Sequence, residues 1–208
     1  MRIAVLGAGY VGLVSGACFA DFGHFVTCAD LDEGKIERLR AGEIPIFEPG
    51  LGPLVAANAA AGRLTFSTEV EAAVADAEVV FIAVGTPSRR GDGHADLSYV
   101  YSAAETIGRA MKGFTVIVTK STVPVGTGDE VERIIAKVNP RADFAVVSNP
   151  EFLREGAAIQ DFKHPDRIVV GTEDERAKRV MAEVYRPLFL NASPLFCVSR
   201  RTSVTSSG

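Results

Sequence analysis

Short hydrophobic runs alternate with stretches whose apolar residues recur at helical spacing through most of the chain. The runs predict strands at residues 3–6, 25–29, 79–84, 115–119, 144–147 and 167–170, with a weaker candidate at 63–66. The amphipathic stretches predict helices at residues 11–22, 32–41, 51–61, 97–111, 126–138 and 174–185. This alternation predicts an α/β fold of parallel strands joined by helical crossovers. Because the strands are almost continuously apolar, we expect a doubly wound, mainly parallel sheet with helices on both faces.

The size and composition of the chain favour one main domain. It has 208 residues, of which 47% are hydrophobic and 23% are charged, and its formal net charge is -4. These values are ordinary for a soluble protein with one core, and the acidic balance argues against a nucleic-acid-binding surface. We expect a domain over residues 1–200 and a frayed, Ser- and Thr-rich tail over 201–208.

Residues 3–20 carry no charge and have the length of a membrane segment. They include four glycines, which weaken a helix, and a polar, periodic chain follows them. We therefore interpret this stretch as a buried strand followed by a helix, with no contact with a membrane.

The cysteines and histidines predict neither a metal site nor a disulfide framework. Cys18, Cys28 and Cys197 lack the spacing of a zinc site or a redox pair, so we expect a reducing, cytoplasmic compartment and small buried thiols. The three histidines, at positions 24, 94 and 164, are isolated in sequence, and we interpret them as surface or turn residues.

A glycine motif joins the first predicted strand to the first predicted helix. Residues 7–12 read GAGYVG, the G-x-G-x-x-G pattern in the strand-to-helix context that gives it meaning. Gly7 permits a tight turn, Gly9 lets the backbone approach a pyrophosphate, and Gly12 lets the helix pack closely on the strand. The helix N-terminus offers free N–H groups to phosphates. The motif therefore predicts a Rossmann-like dinucleotide-binding domain.

Asp30 decides which dinucleotide is expected. It ends the second predicted strand, where a carboxylate accepts hydrogen bonds from the ribose hydroxyls and repels a 2′-phosphate, so NAD is favoured over NADP. The alternative is that the glycines only make a turn and that Asp30 only caps the next helix. The strand, spacing, helix and acid occurring together favour the NAD site.

Two other nucleotide-binding classes fit the sequence poorly. The short-chain and epimerase group uses a catalytic Tyr-x-x-x-Lys, but none of the four tyrosines has a lysine four residues later. The chain also lacks the G-x-x-x-x-G-K-[ST] pattern of a P-loop.

Polar segments follow three neighbouring predicted strands, at the sheet edge where open α/β sheets bind ligands. They are Gly85-Thr86-Pro87, KSTVPVG at residues 120–126 and SNPEFLREG at residues 148–156. Thr86 and Thr122 alone could be helix caps, and Glu151 and Arg154 could be solvated loop charges. Because all three segments meet at one edge, we favour a binding site.

These motifs resemble the NAD-binding domain of the UDP-glucose/GDP-mannose dehydrogenase family. The resemblance runs from Met1 to about Thr202. It is carried by GAGYVG at 7–12, PIFEPGL at 45–51, Gly85-Thr86-Pro87, STVPVGT at 121–127 and NPEFLREG at 149–156.

The resemblance implies oxidation of UDP-glucose to UDP-glucuronate with two NAD, through an aldehyde and a thioester on a cysteine. The implied NAD contacts are Gly7, Gly9, Tyr10, Val11, Gly12, Asp30, Lys35, Thr86, Ser121, Thr122 and Glu155. The implied substrate contacts are Glu151, Phe152, Leu153 and Arg154, with Thr122 and Glu151 as catalytic residues. A carboxylate such as Glu151 serves as acid or base when partial burial raises its pKa.

The sequence departs from the family pattern at its end. After Arg201 and Thr202, the family continues into a helix with an active-site Lys and Asn, a dimerising region and a loop with the nucleophilic Cys. None of the three cysteines here matches that position. We expect this chain to bind NAD without completing the oxidation, and homo-oligomers to form through the part beyond it. The alternatives are a stand-alone NAD-binding module and a dehydrogenase of another nucleotide sugar such as GDP-mannose.

Overall fold

The computed structural model describes residues 1–87, 95–120, 123–189 and 194–200. Its strands are β1 (Arg2–Leu6), β2 (Phe25–Ala29), β3 (Leu64–Ser67), β4 (Val79–Ile82), β5 (Thr115–Thr119), β6 (Phe144–Ser148), β7 (Ile168–Gly171) and β8 (Leu195–Val198). Its helices are α1 (Tyr10–Asp21), α2 (Glu33–Arg40), α3 (Leu51–Ala60), α4 (Val70–Asp76), α5 (Ser98–Ala110), α6 (Thr127–Val138), α7 (Ala158–Lys163), α8 (Glu175–Val184) and α9 (Arg186–Phe189). The tail predicted at 201–208 lies outside the described residues.

The described strands form one sheet in the order β3-β2-β1-β4-β5-β6-β7-β8. Neighbours run parallel except β6 and β7, which pair antiparallel at Ser148 and Gly171. From β1 the chain winds outward to β2 and β3, then returns past β1 to β4 and winds the other way. This confirms the predicted doubly wound, mainly parallel α/β fold. The carboxyl ends of β1 and β4 adjoin at the switch point, where such sheets bind ligands.

Each central strand contributes side chains to two hydrophobic cores, because successive side chains point to opposite faces of the sheet. Val5 and Phe81 pack with α1, α3 and α8 on one face. Leu6 and Ile82 pack with α4, α5 and α6 on the other. All of these strand side chains are at most 2% exposed, which explains why β4 is apolar throughout and β1 is apolar after the exposed Arg2.

Two glycines allow α1 to begin directly against the sheet. A Cβ atom at Gly12 would lie 1.9 Å from the carbonyl oxygen of Gly7. Gly7 itself has a φ of 101°, and a Cβ there would lie 2.6 Å from the carbonyl oxygen of Ala83, which directly follows β4. The loop and the helix start therefore occupy space that no side chain can share.

The predicted elements differ from the structure mainly at short segments. Strand β8 and helices α4, α7 and α9 were not predicted, because each spans too few residues to show a clear period. The strand predicted at 79–84 ends at Ile82.

Two interpretations of single residues need correction. His24 directly follows the turn between α1 and β2, but it is not at the surface. It is 7% exposed, with Nε2 2.9 Å from the carbonyl oxygen of Val184, because the start of β2 packs against the end of α8. Cys197 is exposed rather than buried, because β8 is an edge strand whose side chains are only partly covered. Cys18 and Cys28 are buried, as expected, and His94 lies outside the described residues.

In the described part of the chain, no helix combines the length and apolar character that crossing a membrane requires.

Gly12→Ala tests the close contact at the start of α1. Alanine favours a helix by about 1 kcal/mol over glycine, but overpacking costs about 1–3 kcal/mol and rigid backbone cannot turn away. An approach of 1.9 Å to a backbone oxygen puts the cost at the upper end of this range. The net result should be a fall of about 2 kcal/mol in the free energy of unfolding, measured by urea titration.

Gly9→Ala is the matched control, because no atom lies within 4 Å of its Cβ position. Gly9 is the N-cap of α1, where alanine is less favourable than glycine, so we expect a loss of no more than about 1 kcal/mol. Equal stability of the Gly12→Ala and Gly9→Ala proteins would contradict the packing argument.

Candidate functional site

Two cavities open at the carboxyl edge of the sheet. The large cavity, of about 1220 Å³, lies at the ends of β1, β2 and β4 and is also lined by residues of α5. The small cavity, of about 460 Å³, lies at the ends of β5 and β6 and is also lined by residues of α7 and by Tyr185. Glu151 lines both cavities, so the two spaces meet at this side chain.

The structure brings most of the predicted site residues to these cavities. The large cavity is lined by Gly7, Gly9, Tyr10, Val11, Asp30, Lys35, Thr86 and Glu151. The small cavity is lined by Glu151, Phe152, Leu153 and Arg154. Gly12 lies behind the glycine loop, Glu155 is exposed and belongs to neither lining, and Ser121 and Thr122 lie outside the described residues.

The glycine loop has the space and the donors that a pyrophosphate needs. Gly9 is the N-cap of α1 and provides no side-chain cap, so the first N–H groups of the helix remain for a ligand. No atom lies within 4 Å of a Cβ built on Gly9, so the backbone faces open space there. These observations fit a dinucleotide in the large cavity.

Asp30 lines the same cavity and is hydrogen-bonded to the glycine loop. Its Oδ2 accepts hydrogen bonds from the N–H of Ala8 and from Nζ of Lys35, each at 2.8 Å, and its Oδ1 accepts one from the N–H of Asp32 at 3.0 Å. Burial raises the pKa of Asp30, but these donors outweigh burial and lower it. The cap of α2 is Asp32, which accepts from the N–H of Lys35. Asp30 is therefore an ionised cavity residue that also tethers the glycine loop.

A buried lysine stands at the wall of the small cavity. Lys120 follows β5 and is 3% exposed. Its Nζ donates to Oδ1 of Asn149 at 3.3 Å and to the hydroxyl of Tyr185 at 3.4 Å, and it lies 5.3 Å from the ring centre of Phe162. Burial lowers the pKa of Lys120 to about 8, against a smaller opposing effect of Glu151.

The carboxyl group of Glu151 feels the charge of Lys120, and one of its oxygens lacks a hydrogen bond. Its Oε2 is buried and has no hydrogen-bond partner among the described residues. Burial raises the pKa of the carboxyl group, while the charge of Lys120 lowers it. An unpartnered buried carboxylate oxygen is costly unless a ligand or water satisfies it. Its position between the two cavities suits a group that exchanges a proton with a bound ligand.

A metal centre is not part of this arrangement in the described residues, where no three His, Cys, Asp or Glu side chains cluster as ligands.

The chain matches the UDP-glucose/GDP-mannose dehydrogenase family, NAD binding domain, over residues 1–189. It belongs to this family. The match includes the glycine loop, Asp30 and the segments that line both cavities. As the NAD-binding domain of the UDP-glucose/GDP-mannose dehydrogenase family, it binds NAD.

Individual members of the family are also very similar to the chain. It is 70% identical over 205 residues to a UDP-glucose 6-dehydrogenase of Rhizobium meliloti (strain 1021), which covers 98% of this chain and 47% of the relative. The solved structure of a UDP-glucose dehydrogenase from the archaeon Pyrobaculum islandicum superposes with a TM-score of 0.93 at 44% identity, over 99% of this chain and 48% of that one. A GDP-mannose dehydrogenase from Pseudomonas aeruginosa gives a TM-score of 0.93 at 36% identity, over 99% and 48% of the two chains. The chain thus spans about half the length of these relatives.

Sequence analysis did not single out three residues at the small cavity, Lys120, Asn149 and Tyr185. It also did not single out Glu48, which lies within the recognised PIFEPGL motif but outside both cavity linings. Lys120 and Asn149 lie in the polar segments that were recognised, but nothing local marks them as partners. Tyr185 is 65 residues from Lys120, and Glu48 is 108 residues from Gly156, to which it is hydrogen-bonded. The sequence offered one signal for Lys120, which directly follows the strand run TVIVT at residues 115–119. Burial of that run would bury the lysine too, and Lys is almost never buried without a partner.

Asp30→Ala tests the ribose end of the NAD site. We expect NAD affinity, measured by calorimetry, to fall by about 1–3 kcal/mol, the range for a lost charge-assisted hydrogen bond. Asp174→Ala, which removes the cap of α8, controls for a general loss of stability. Unchanged NAD affinity in a folded Asp30→Ala protein would refute the assignment.

Lys120→Met tests the buried ammonium through the pH dependence of stability. The pKa of Lys120 is about 8 in the folded chain and 10.5 ordinarily, so between these values the unfolded chain holds a proton that the folded chain has released. Stability of the wild type therefore rises with pH across this interval. Relative to Lys120→Met, we expect its free energy of unfolding to rise by on the order of 3 kcal/mol.

Urea unfolding at a series of pH values measures this difference. Lys112→Met, at an exposed position, is the matched control and should change stability little. A difference between wild type and Lys120→Met that stays flat or falls with rising pH would contradict the burial of a charged lysine.

Proposed function

We propose that this chain is the cofactor-binding part of a UDP-glucose 6-dehydrogenase, which oxidises UDP-glucose to UDP-glucuronate with NAD. The observation that carries the proposal is Glu151, which forms part of the wall of both cavities. A cofactor in the large cavity and a sugar in the small one would meet beside a carboxylate. The name of the Rhizobium meliloti relative, at 70% identity, supports the choice of substrate.

In this proposal the large cavity holds NAD through main-chain and side-chain contacts. The N–H groups at the start of α1 bind the pyrophosphate, with Val11 beside them. Asp30 accepts three hydrogen bonds within the protein, and a carboxylate has about four acceptor sites, which leaves one for a ribose hydroxyl. Lys35 and Thr86 line the same space. Bound there, NAD supplies the hydride acceptor for the oxidation.

In the small cavity, Glu151 takes the proton-transfer role. Burial raises the pKa of Glu151 and the ammonium of Lys120 opposes this, so the carboxylate can accept a proton from an alcohol and later release it. Phe152, Leu153 and Arg154 line the space for the sugar nucleotide. Arg154 is held in place by Asp161, with Nη2 2.7 Å from Oδ1.

The proposed reaction needs residues beyond those of this chain. All three cysteines lie outside the linings of both cavities, and burial raises the pKa of the Cys18 and Cys28 thiols to about 12. A thiol that is so weakly acidic is a poor nucleophile at neutral pH. We propose that the nucleophilic cysteine and the surface for homo-oligomer formation belong to the other half of the enzyme.

Reconstitution tests this function. The chain would be mixed with the separately expressed part of the Rhizobium meliloti relative that follows its match to this chain. We expect UDP-glucose to produce UDP-glucuronate and two NADH, followed by absorbance and chromatography. Glu151→Gln should lower turnover about 10²–10⁴-fold, the usual contribution of an acid or base. Glu173→Gln, at an exposed position, is the matched control.

Three outcomes would contradict parts of the proposal. Conversion of UDP-glucose by this chain alone would refute the need for a second half. Turnover of GDP-mannose in preference to UDP-glucose would change the substrate. An absence of turnover despite NAD binding would favour a stand-alone NAD-binding module.

A further inference from the structure

Glu48 is a buried acid that belongs to neither cavity. It lies between α2 and α3 and is 7% exposed. A carboxylate buried this far needs several hydrogen bonds to offset the loss of water. The groups that donate hydrogen bonds to Glu48 therefore indicate its role.

The partners of Glu48 come from both sides of the site. The hydroxyl of Tyr10 donates to its Oε2, and the N–H of Gly156 donates to the same oxygen at 2.8 Å. The N–H of Ile159 donates to Oε1 at 3.4 Å. Tyr10 is the first residue of α1 and lines the large cavity. Gly156 and Ile159 belong to the segment 151–159, which starts at Glu151.

The contact is specific for a carboxylate because each partner is a donor. Burial raises the pKa of Glu48, but the hydrogen bonds from Tyr10, Gly156 and Ile159 outweigh burial and lower it, so the group stays ionised. Burial, followed by the hydrogen bond to Glu48, raises the pKa of Tyr10 to about 12, so its hydroxyl stays a donor. A neutral amide in place of the carboxylate would point an NH₂ group at these donors.

We infer that Glu48 is a positioning residue that joins the start of α1, through Tyr10, to the segment 151–159, so that NAD at the glycine loop restrains this segment. The segment carries Glu151 and the residues that line the small cavity. A ligand that restrains Tyr10 therefore makes the hydrogen bonds from Gly156 and Ile159 to Glu48 open less often. By linkage, a ligand that fixes the segment strengthens NAD binding by the same factor. The inference rests on NAD binding at the glycine loop and is independent of the proposed substrate.

Amide hydrogen exchange of the whole chain, with and without saturating NAD, tests the inference by NMR. In the wild type, NAD should slow exchange at Gly156 and Ile159 about fivefold or more beyond the slowing seen in α8, at the lower end of typical couplings. The N–H of Gly156 donates to Glu48 at 2.8 Å and also lies 3.3 Å from the hydroxyl of Tyr10. In Tyr10→Phe, the basal exchange of Gly156 should stay close to wild type, because the shorter bond to Glu48 remains. The additional slowing by NAD should be lost. If Tyr10 had only a structural role, Tyr10→Phe would instead change the exchange of Gly156 in the absence of NAD.

Two further variants complete the test. Glu48→Gln should also lose the additional slowing, while Glu43→Gln, an exposed acid that precedes α3 in the same connecting segment, should keep it. The amide of Ala8 in the glycine loop reports that NAD is bound in each protein. Equal NAD-dependent slowing at Gly156 in wild type, Tyr10→Phe and Glu48→Gln would overturn the inference, as would the absence of additional slowing in the wild type. Failure of the proposed oxidation would leave these exchange results unchanged.

Discussion

The approach of α1 to the sheet is the constraint on which the rest of the site depends. Without side chains at Gly7 and Gly12, the helix begins directly behind the glycine loop and aims its first N–H groups at the large cavity. Asp30 then holds the loop from the end of β2 through the N–H of Ala8. Tyr10 follows as the first helical residue, in reach of Glu48. A displaced helix would move the phosphate donors and the contact with the segment 151–159 together.

The two cavities offer a ligand different kinds of interaction. The large cavity uses backbone donors and one ionised carboxylate, which a parallel sheet supplies at its switch point. The wall of the small cavity contains the buried ammonium of Lys120 and the half-buried Glu151, whose Oε2 has no hydrogen-bond partner among the described residues. Buried ionisable groups cost stability. Groups in a cleft whose pKa is shifted by burial and by a charged neighbour cluster at functional sites.

The features that sequence predicts here are the local ones. The GAGYVG loop, Asp30 and the central strands follow from spacing within a few tens of residues, and the structure has the strands where the pattern placed them. The network of Lys120, Asn149 and Tyr185 depends on residues that only the sheet order brings together. His24 and Cys197 show the same limit, because neither burial by α8 nor exposure at a sheet edge can be seen from neighbouring residues.

The electrostatic pair in the small cavity also has a consequence for how related sequences diverge. Replacing Lys120 alone would leave Glu151 without the charge that opposes the effect of burial, and replacing Glu151 alone would leave a buried ammonium without its counterion. Either single change carries a penalty that the other change relieves. The two residues are therefore coupled in stability as well as in chemistry, and a homologue that keeps the carboxylate at 151 is under pressure to keep a cation at 120.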